Sequence, residues 1–280
     1  MVSAAIVLRN GARIPLLNAT PFMVVHLACL AALFVPFRWS YLVVCLALFY
    51  VRMFFLTAGY HRYFAHRSFK TSRAFQFVMA VMASAAAQKG VLWWAANHRH
   101  HHRYSDTEED LHSPSLFGFW WSHVGWILSD RYNHTQVELI RDFYKYPELR
   151  WLNRYHLVPP TVLAVGLFLI GGWGLLVWGF FVSTVVLWHT TFSVNSLSHM
   201  FGWQRYPTSD TSRNNPLLGL LTMGEGWHNN HHYYMASARQ GFFWWEVDLT
   251  YYVLRVLSWL RIVWDLRQPP DTVFAYTASQ

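Results

Sequence analysis

The chain has 280 residues, 54% of them hydrophobic and 19% aromatic but only 13% charged, about half the charged share of an average soluble domain. All 14 acidic residues lie at or after Asp106, and no Asp, Glu, Lys or Arg occurs from Tyr155 to Gln204, which excludes an ordinary soluble surface over that stretch. The basic residues behind the net charge of +8 flank apolar runs, so membrane lipid headgroups are the expected partner and nucleic acid is not.

In chain order, a short apolar run, Val2 to Leu8, comes first and lacks the features of a cleaved signal peptide, so it is read as mature sequence. Two apolar runs follow, Phe22 to Phe37 and Tyr41 to Gly59, holding Cys29 and Cys45 as inert packing residues. The stretch from Phe75 to Trp94 is rich in Ala and Met and interrupted by Ser84, Gln88 and Lys89, which predicts a helix lying in the interface or against the bundle, with a fifth span as the alternative. A second pair of runs covers Val158 to Gly171 and Leu175 to Val194, with Pro159 and Pro160 opening it, where a missing N–H costs least. The first and third runs are short against the ~20 residues of a spanning helix.

These runs predict an all-α integral membrane protein with four transmembrane helices in two hairpins, at about residues 22–59 and 158–194. The remainder, about 60–157 and 195–280, forms a polar helical cap, and the whole of 1–280 is one domain. Of the 22 Lys and Arg residues, 12 lie between Gly59 and His156 and six after Gln204. The positive-inside rule then places both termini and the cap in the cytoplasm. His26 is read as the lone ionisable group of the first hairpin, and the second has no charged residue. A transporter needs more than that at mid-membrane depth.

Eight of the 16 histidines form three groups: His61 and His66 in HRYFAH, His98, His101 and His102 in HRHHH, and His228, His231 and His232 in HNNHH. Positions i, i+3 and i+4 share a helical face, so the second and third groups can each present three imidazoles together. The first pair, five apart, fits a helix end or two imidazoles wrapping different sides of a centre. Imidazole suits Fe, Zn, Cu and Ni, and eight ligands exceed what one ion can take, so two ions are implied. Asn195 and His199, spaced i, i+4, add a ninth imidazole and either a water-holding amide or a helix cross-link.

Those residues carry a resemblance. From Thr57 to Asp265 the sequence resembles the stearoyl-CoA desaturase type of membrane Δ9 desaturase, including its acyl-lipid branch. The carriers are TAGYHR, the three histidine boxes in order, GFWWSHVGW, NSLSH and GEGWHNNHH. The resemblance implies a di-iron site in the cap, ligated by His61, His66, His98, His101, His102, His199, His228, His231 and His232, with Asn195 acting through water. It implies a bent acyl tunnel shaped at Gln88, Trp94 and Thr191, and a cis double bond at carbon 9. Where vertebrate acyl-CoA enzymes hold the CoA headgroup with an Arg-Asp pair and an Asn, this chain has Ala96, Asn97 and Lys89. The acyl carrier, CoA or a membrane lipid, therefore stays open.

Unactivated methylenes yield to no side-chain acid or base, so the expected reaction needs two Fe(II) ions and O2 as co-substrate. No haem, flavin or iron–sulfur motif is present, so electrons are expected from a separate ferredoxin or b-type cytochrome. Hydroxylation on the same scaffold is the alternative reaction, and a non-catalytic metal-binding or transport protein the alternative class. Asp106 and Asp110 are expected to accept from ligand imidazole N–H groups, with Glu109 at the surface and Arg62 and Arg99 paired to these carboxylates. His112 and His123 are read as hydrogen-bonding groups, and His100, about 100° from its neighbours, as a non-ligand. His26, His134, His156 and His189 are read as structural, and most of the 16 tryptophans as interfacial anchors.

Overall fold

The structure, a computed structural model, describes residues 5–7 and 11–278. Helix α1 (Leu16–Ala28) tightens into a 3-10 turn reaching Leu33, and α2 (Trp39–Phe54) continues as a π-helix from Phe55 to Ala65. Helices α3 (Arg73–Ser84) and α4 (Val91–Tyr104) follow, then α5 (Val158–Leu175) and α6 (Ser183–Ser196), joined by a π-helical stretch. The short α7 (His228–Tyr233) and α8 (Leu249–Trp259) complete the set used below. The fold is not purely helical, because β1 (Ala5–Val7) pairs antiparallel with β2 (Arg13–Pro15), and β3 (Lys70–Thr71) with β4 (Val263–Trp264).

Among the described residues three helices are long and apolar enough to cross a membrane: Leu16–Leu33, Trp39–Ala65 and Val158–His199. The third is broken at Gly171 and at Gly172, whose φ of 62° and ψ of −153° suit a residue without Cβ. A Cβ on Gly179 would lie 3.3 Å from Leu167 Cδ1, whereas a straight helix rising ~1.5 Å per residue would hold those positions ~18 Å apart. The chain therefore doubles back at the glycine pair.

Two expectations need correction. The Ala- and Met-rich stretch is not one helix, since α3 ends at Ser84 and α4 begins at Val91. Asn153, from a distant segment, starts the new helix: its Oδ1 accepts from the N–H groups of Leu92 (3.0 Å) and Trp93 (2.9 Å). Gly90 permits this approach, as a Cβ there would meet Asn153 Cα at 2.7 Å. Secondly, His26 is not the lone ionisable group of the first two apolar helices. Arg52 lies in α2 only 1% exposed, donating to Leu48 O (3.1 Å), Thr184 Oγ1 (2.7 Å) and Ser183 Oγ (2.5 Å). The hydroxyls of α6 satisfy the guanidinium and tie α2 to α6.

Helix α1 has no fully buried residue. It is tied to α6 by His26, whose Nδ1 donates to Phe22 O (2.7 Å) and whose Nε2 lies 2.9 Å from His189 Nε2. His189 Nδ1 in turn lies 3.0 Å from His123 Nε2. With Nδ1–H of His26 committed to a carbonyl, its Nε2 accepts, and each following ring is set to one tautomer. All three rings are thus used in joining helices.

Candidate metal centre

The π-helix after α2 closes its hydrogen bonds over five residues, and the His66 N–H donates to His61 O at 3.2 Å. Positions five apart on it therefore stack roughly as i and i+4 do on an α-helix, which brings both imidazoles of the first box to one side. Their Nε2 atoms join those of His98 and His102 from α4 and His231 from α7. A second group combines His101, His199, His228 and His232, all buried. Each of the later two boxes is therefore split between the groups rather than facing one centre. The groups adjoin, with the His102 and His232 rings 4.3 Å apart.

Nε2 of His98 lies 2.9 Å from that of His66 and 3.0 Å from that of His102. Nε2 of His231 is likewise 2.9 Å from that of His102 and 3.0 Å from that of His61. One imidazole nitrogen carries either a proton or a lone pair, so the rings that face two neighbours cannot satisfy both by hydrogen bonding. Nitrogens bound to one ion at about 2.1 Å would stand about 3.0 Å apart when cis in an octahedron and about 3.4 Å apart in a tetrahedron. The observed spacing fits the former. In the second group His199 and His228 bring Nε2 atoms within 3.1 Å, and Nε2 of His101 and of His232 are buried without a hydrogen-bond partner. Unpartnered nitrogens aimed at one point fit a metal ion.

Carboxylates fix the far side of several rings. Asp110 Oδ1 accepts from His101 Nδ1 (2.9 Å), Asp106 Oδ2 from His199 Nδ1 (3.3 Å) and Asp210 Oδ2 from His232 Nδ1 (2.6 Å). In the first group Glu225 Oε2 lies 2.5 Å from His61 Nδ1. Each such bond leaves Nε2 as the free donor atom. Burial opposes ionisation of Asp106, Asp110 and Asp210, but the bonded imidazoles outweigh it and hold all three below the usual carboxylate range. Burial, reinforced by neighbouring rings, pushes His66, His98, His102, His228 and His231 well below the ordinary imidazole value, which keeps them neutral and able to bind metal.

The sequence reading singled out Asp106 and Asp110 but missed Asp210 and Glu225. Glu225 was within sight, inside the word GEGWHNNHH. The expected partners of Arg62 and Arg99 were wrong. Arg62, buried, donates to Glu225 Oε1 (3.0 Å) and pairs with Asp248 (2.9 Å), while Arg99 pairs with Asp142 (2.9 Å). Both carboxylates near the second box were already taken by imidazoles and backbone N–H groups, and Arg62 instead bolts the first box to the third. The two asparagines of HNNHH face away from the metal groups: Asn229 Oδ1 accepts from Arg205 N and Tyr206 N, and Asn230 Nδ2 donates to Glu246.

Of the remaining histidines, His100 is turned away toward Gln136 and the Glu109 carbonyl, and Glu109 is exposed. His112 packs at 4.2 Å on His101 with Nδ1 unpartnered, and His123 bonds Ser196 Oγ at 2.9 Å.

A cavity of about 500 Å³ reaches the first group at His98. Gln88, Trp94, Thr191 and Asn195 all line it. Gln88 Nε2 donates to Thr191 Oγ1 (3.2 Å), and Trp94 stacks on His98 with centroids 5.0 Å apart. Gln88 comes from the loop before α4 rather than from a helix.

Apolar helices long enough for a bilayer and two adjoining imidazole groups define a membrane-associated protein with a histidine-rich metal site. The family profile for fatty acid desaturases matches residues 37–264, and the chain belongs to that family. It is 38% identical over 266 residues to the sn-1 stearoyl-lipid 9-desaturase of Synechocystis sp., covering 92% of this chain and 81% of that protein. It is 36% identical over 254 residues to the sn-1 stearoyl-lipid 9-desaturase of Anabaena variabilis, covering 89% and 93%. It is also 38% identical over 250 residues to the acyl-CoA 5-desaturase AL21 of Anemone leveillei, covering 88% and 77%. The protein is an oxidoreductase acting on fatty acyl chains.

Proposed function

We propose that the chain is an O2-dependent acyl desaturase that introduces a cis double bond between carbons 9 and 10. The observation that carries this reading is the cavity beginning beside His98 and lined by Gln88, Trp94 and Thr191. An acyl chain threaded there has its methylenes next to the first imidazole group. The nine histidines would hold two iron ions, with Asn195 reaching them through water. Such ions, when bound, supply an oxidant able to remove hydrogen from unactivated methylenes. The balance is one O2 taking up two hydrogen atoms from the acyl chain, which are two electrons and two protons, together with two electrons and two protons from outside, to leave two waters. The outside electrons come from a separate redox protein, a ferredoxin or b-type cytochrome.

The side chains contribute placement and dryness. Trp94, wedged between Tyr60 and His98, forms one wall, and the Gln88–Thr191 bond the opposite turn, so that a chain fits in one register. Carboxylates hold Nδ1 protons away from the metal-facing nitrogens. The four apolar legs, two within residues 22–59 and the two arms of 158–194 either side of the glycine break, span the bilayer as two hairpins, with both termini and the cap on the cytoplasmic side of a single domain.

The test is expression in a host lacking its own desaturase, followed by mass-spectrometric location of any new double bond in the extracted lipids. A cis bond at carbon 9 is expected. A hydroxylated product, or a bond fixed at another carbon, would overturn the corresponding part of the reading.

A further inference from the structure

The substrate cavity is open on its side. Its lining includes Leu17 and Val25 of α1 and Thr161 and Val165 of α5. These two helices belong to the segments apolar enough to lie in a membrane, and the lining residues are not all interior. Leu17 is 79% exposed and Val165 51%, so the cavity wall runs out to the outer apolar surface on both helices. A slot between α1 and α5 therefore faces the place where lipid acyl chains would be.

The slot carries charge at one end only. Asn18, Lys89, Asn133 and His156 line the end toward the cap. Lys89 Nζ lies 2.7 Å from Asn133 Oδ1 and 4.5 Å over the Trp93 ring, and among the described residues no carboxylate pairs with it. The far end is lined by Val25, Val165 and Phe180. Polar groups with an unmatched positive charge at the cap, giving way to hydrocarbon along the helices, reproduce the profile of a lipid standing in one leaflet. A chain already anchored in the leaflet reaches such an opening without leaving the hydrocarbon.

We infer that the acyl chain enters sideways from the bilayer through the slot between α1 and α5, and that the substrate is an acyl chain still esterified to a membrane glycerolipid. This rests on the desaturase reading above. Lys89 and its polar neighbours would then face the headgroup region, while the chain lies against α6 and passes Trp94.

The test uses full-length, iron-loaded protein in phosphatidylglycerol vesicles carrying stearoyl chains, with reduced ferredoxin as electron source. In parallel, stearoyl-CoA is offered from solution to the protein in vesicles whose own lipids cannot be desaturated. The lipid-borne chain is expected to be desaturated at least about tenfold faster than the thioester. Filling the slot rim with Ala164→Trp or Thr161→Trp should slow turnover of the lipid-borne chain about tenfold. Val162→Trp, on the neighbouring outward face at 65% exposure and outside the cavity lining, should leave it unchanged. Metal content and melting temperature, equal to wild type, certify each variant as folded. If one rim variant fails that check, the other and the carrier comparison decide. Faster turnover of stearoyl-CoA, or rim variants as active as Val162→Trp, would overturn lateral entry while leaving a desaturase intact. Desaturation of neither substrate would instead sink the desaturase reading and this inference with it.

Discussion

The two imidazole groups are built differently. The first has five imidazoles and, among them, one carboxylate-backed ring, His61 on Glu225. The second has four, and three of those, His101, His199 and His232, lean on Asp110, Asp106 and Asp210. The first touches the cavity of about 500 Å³ through His98, and none of the second group's four lines it. On the proposed reading, a five-nitrogen group with sparse backing beside the cavity would have a spare ligand and room to rearrange. A four-nitrogen group, with acids orienting its rings and raising their basicity, would hold an ion firmly but have no ligand to lose.

The sharpest way to break this contrast is to delete one ligand from each group. His228→Ala leaves the second group three imidazoles and should lower metal content from two ions per chain to about one, with turnover falling more than about a hundredfold. His66→Ala leaves four and should retain both ions with weaker affinity at one site. Equal metal loss in the two variants, measured by elemental analysis, would erase the difference.

Trp94→Ala tests the side of the first group that meets substrate. Turnover should fall by about tenfold or more and the products should carry double bonds at scattered positions, because a ring wall that fixes register is gone. A single unchanged position would remove Trp94 from the tunnel. Next in size, Asp106→Asn or Asp210→Asn should cost about ten- to a hundredfold in affinity for one ion and spare the other, and Glu225→Gln should do the reverse. Competition with a graded chelator resolves the two sites.

Acid gives a smaller effect with a definite sign. Burial favours the neutral ring for His66, His98, His102, His228 and His231. For an ion in the first group, proton competition should therefore begin below the ordinary imidazole value of ~6.5 rather than at it, and dialysis at pH ~6 should leave that ion bound, whereas His101 of the second group, whose pKa Asp110 raises against burial, should make the other ion the first to leave. Release already complete at that pH would contradict the burial argument. The least effect is expected from His100→Ala, within about twofold of wild type, since that ring bonds Gln136 and Glu109 outside both groups.

The sequence by itself determined what short windows encode. Apolar runs ending at Gly171 and restarting at Leu175 placed the break in the third long helix, and the clustering of histidines in HRHHH and HNNHH marked the imidazoles that gather into the two groups. Tertiary structure decided everything that depends on distant partners. A π-helix, not legible in composition, set His61 and His66 side by side, and the folding of α7 against α4 divided each box between two centres. Asp106 receives the Thr211 N–H across 105 residues, and Glu225 reaches back to the first box, so neither role could be read from neighbours in sequence. Arg52 lay in plain view within an apolar run, yet only the hydroxyls of Ser183 and Thr184 explain how that helix accommodates a charge. Helical period and hydropathy are local properties of the chain. The second partner of a buried polar group is chosen by packing, where the cost of leaving it unpaired exceeds any local preference.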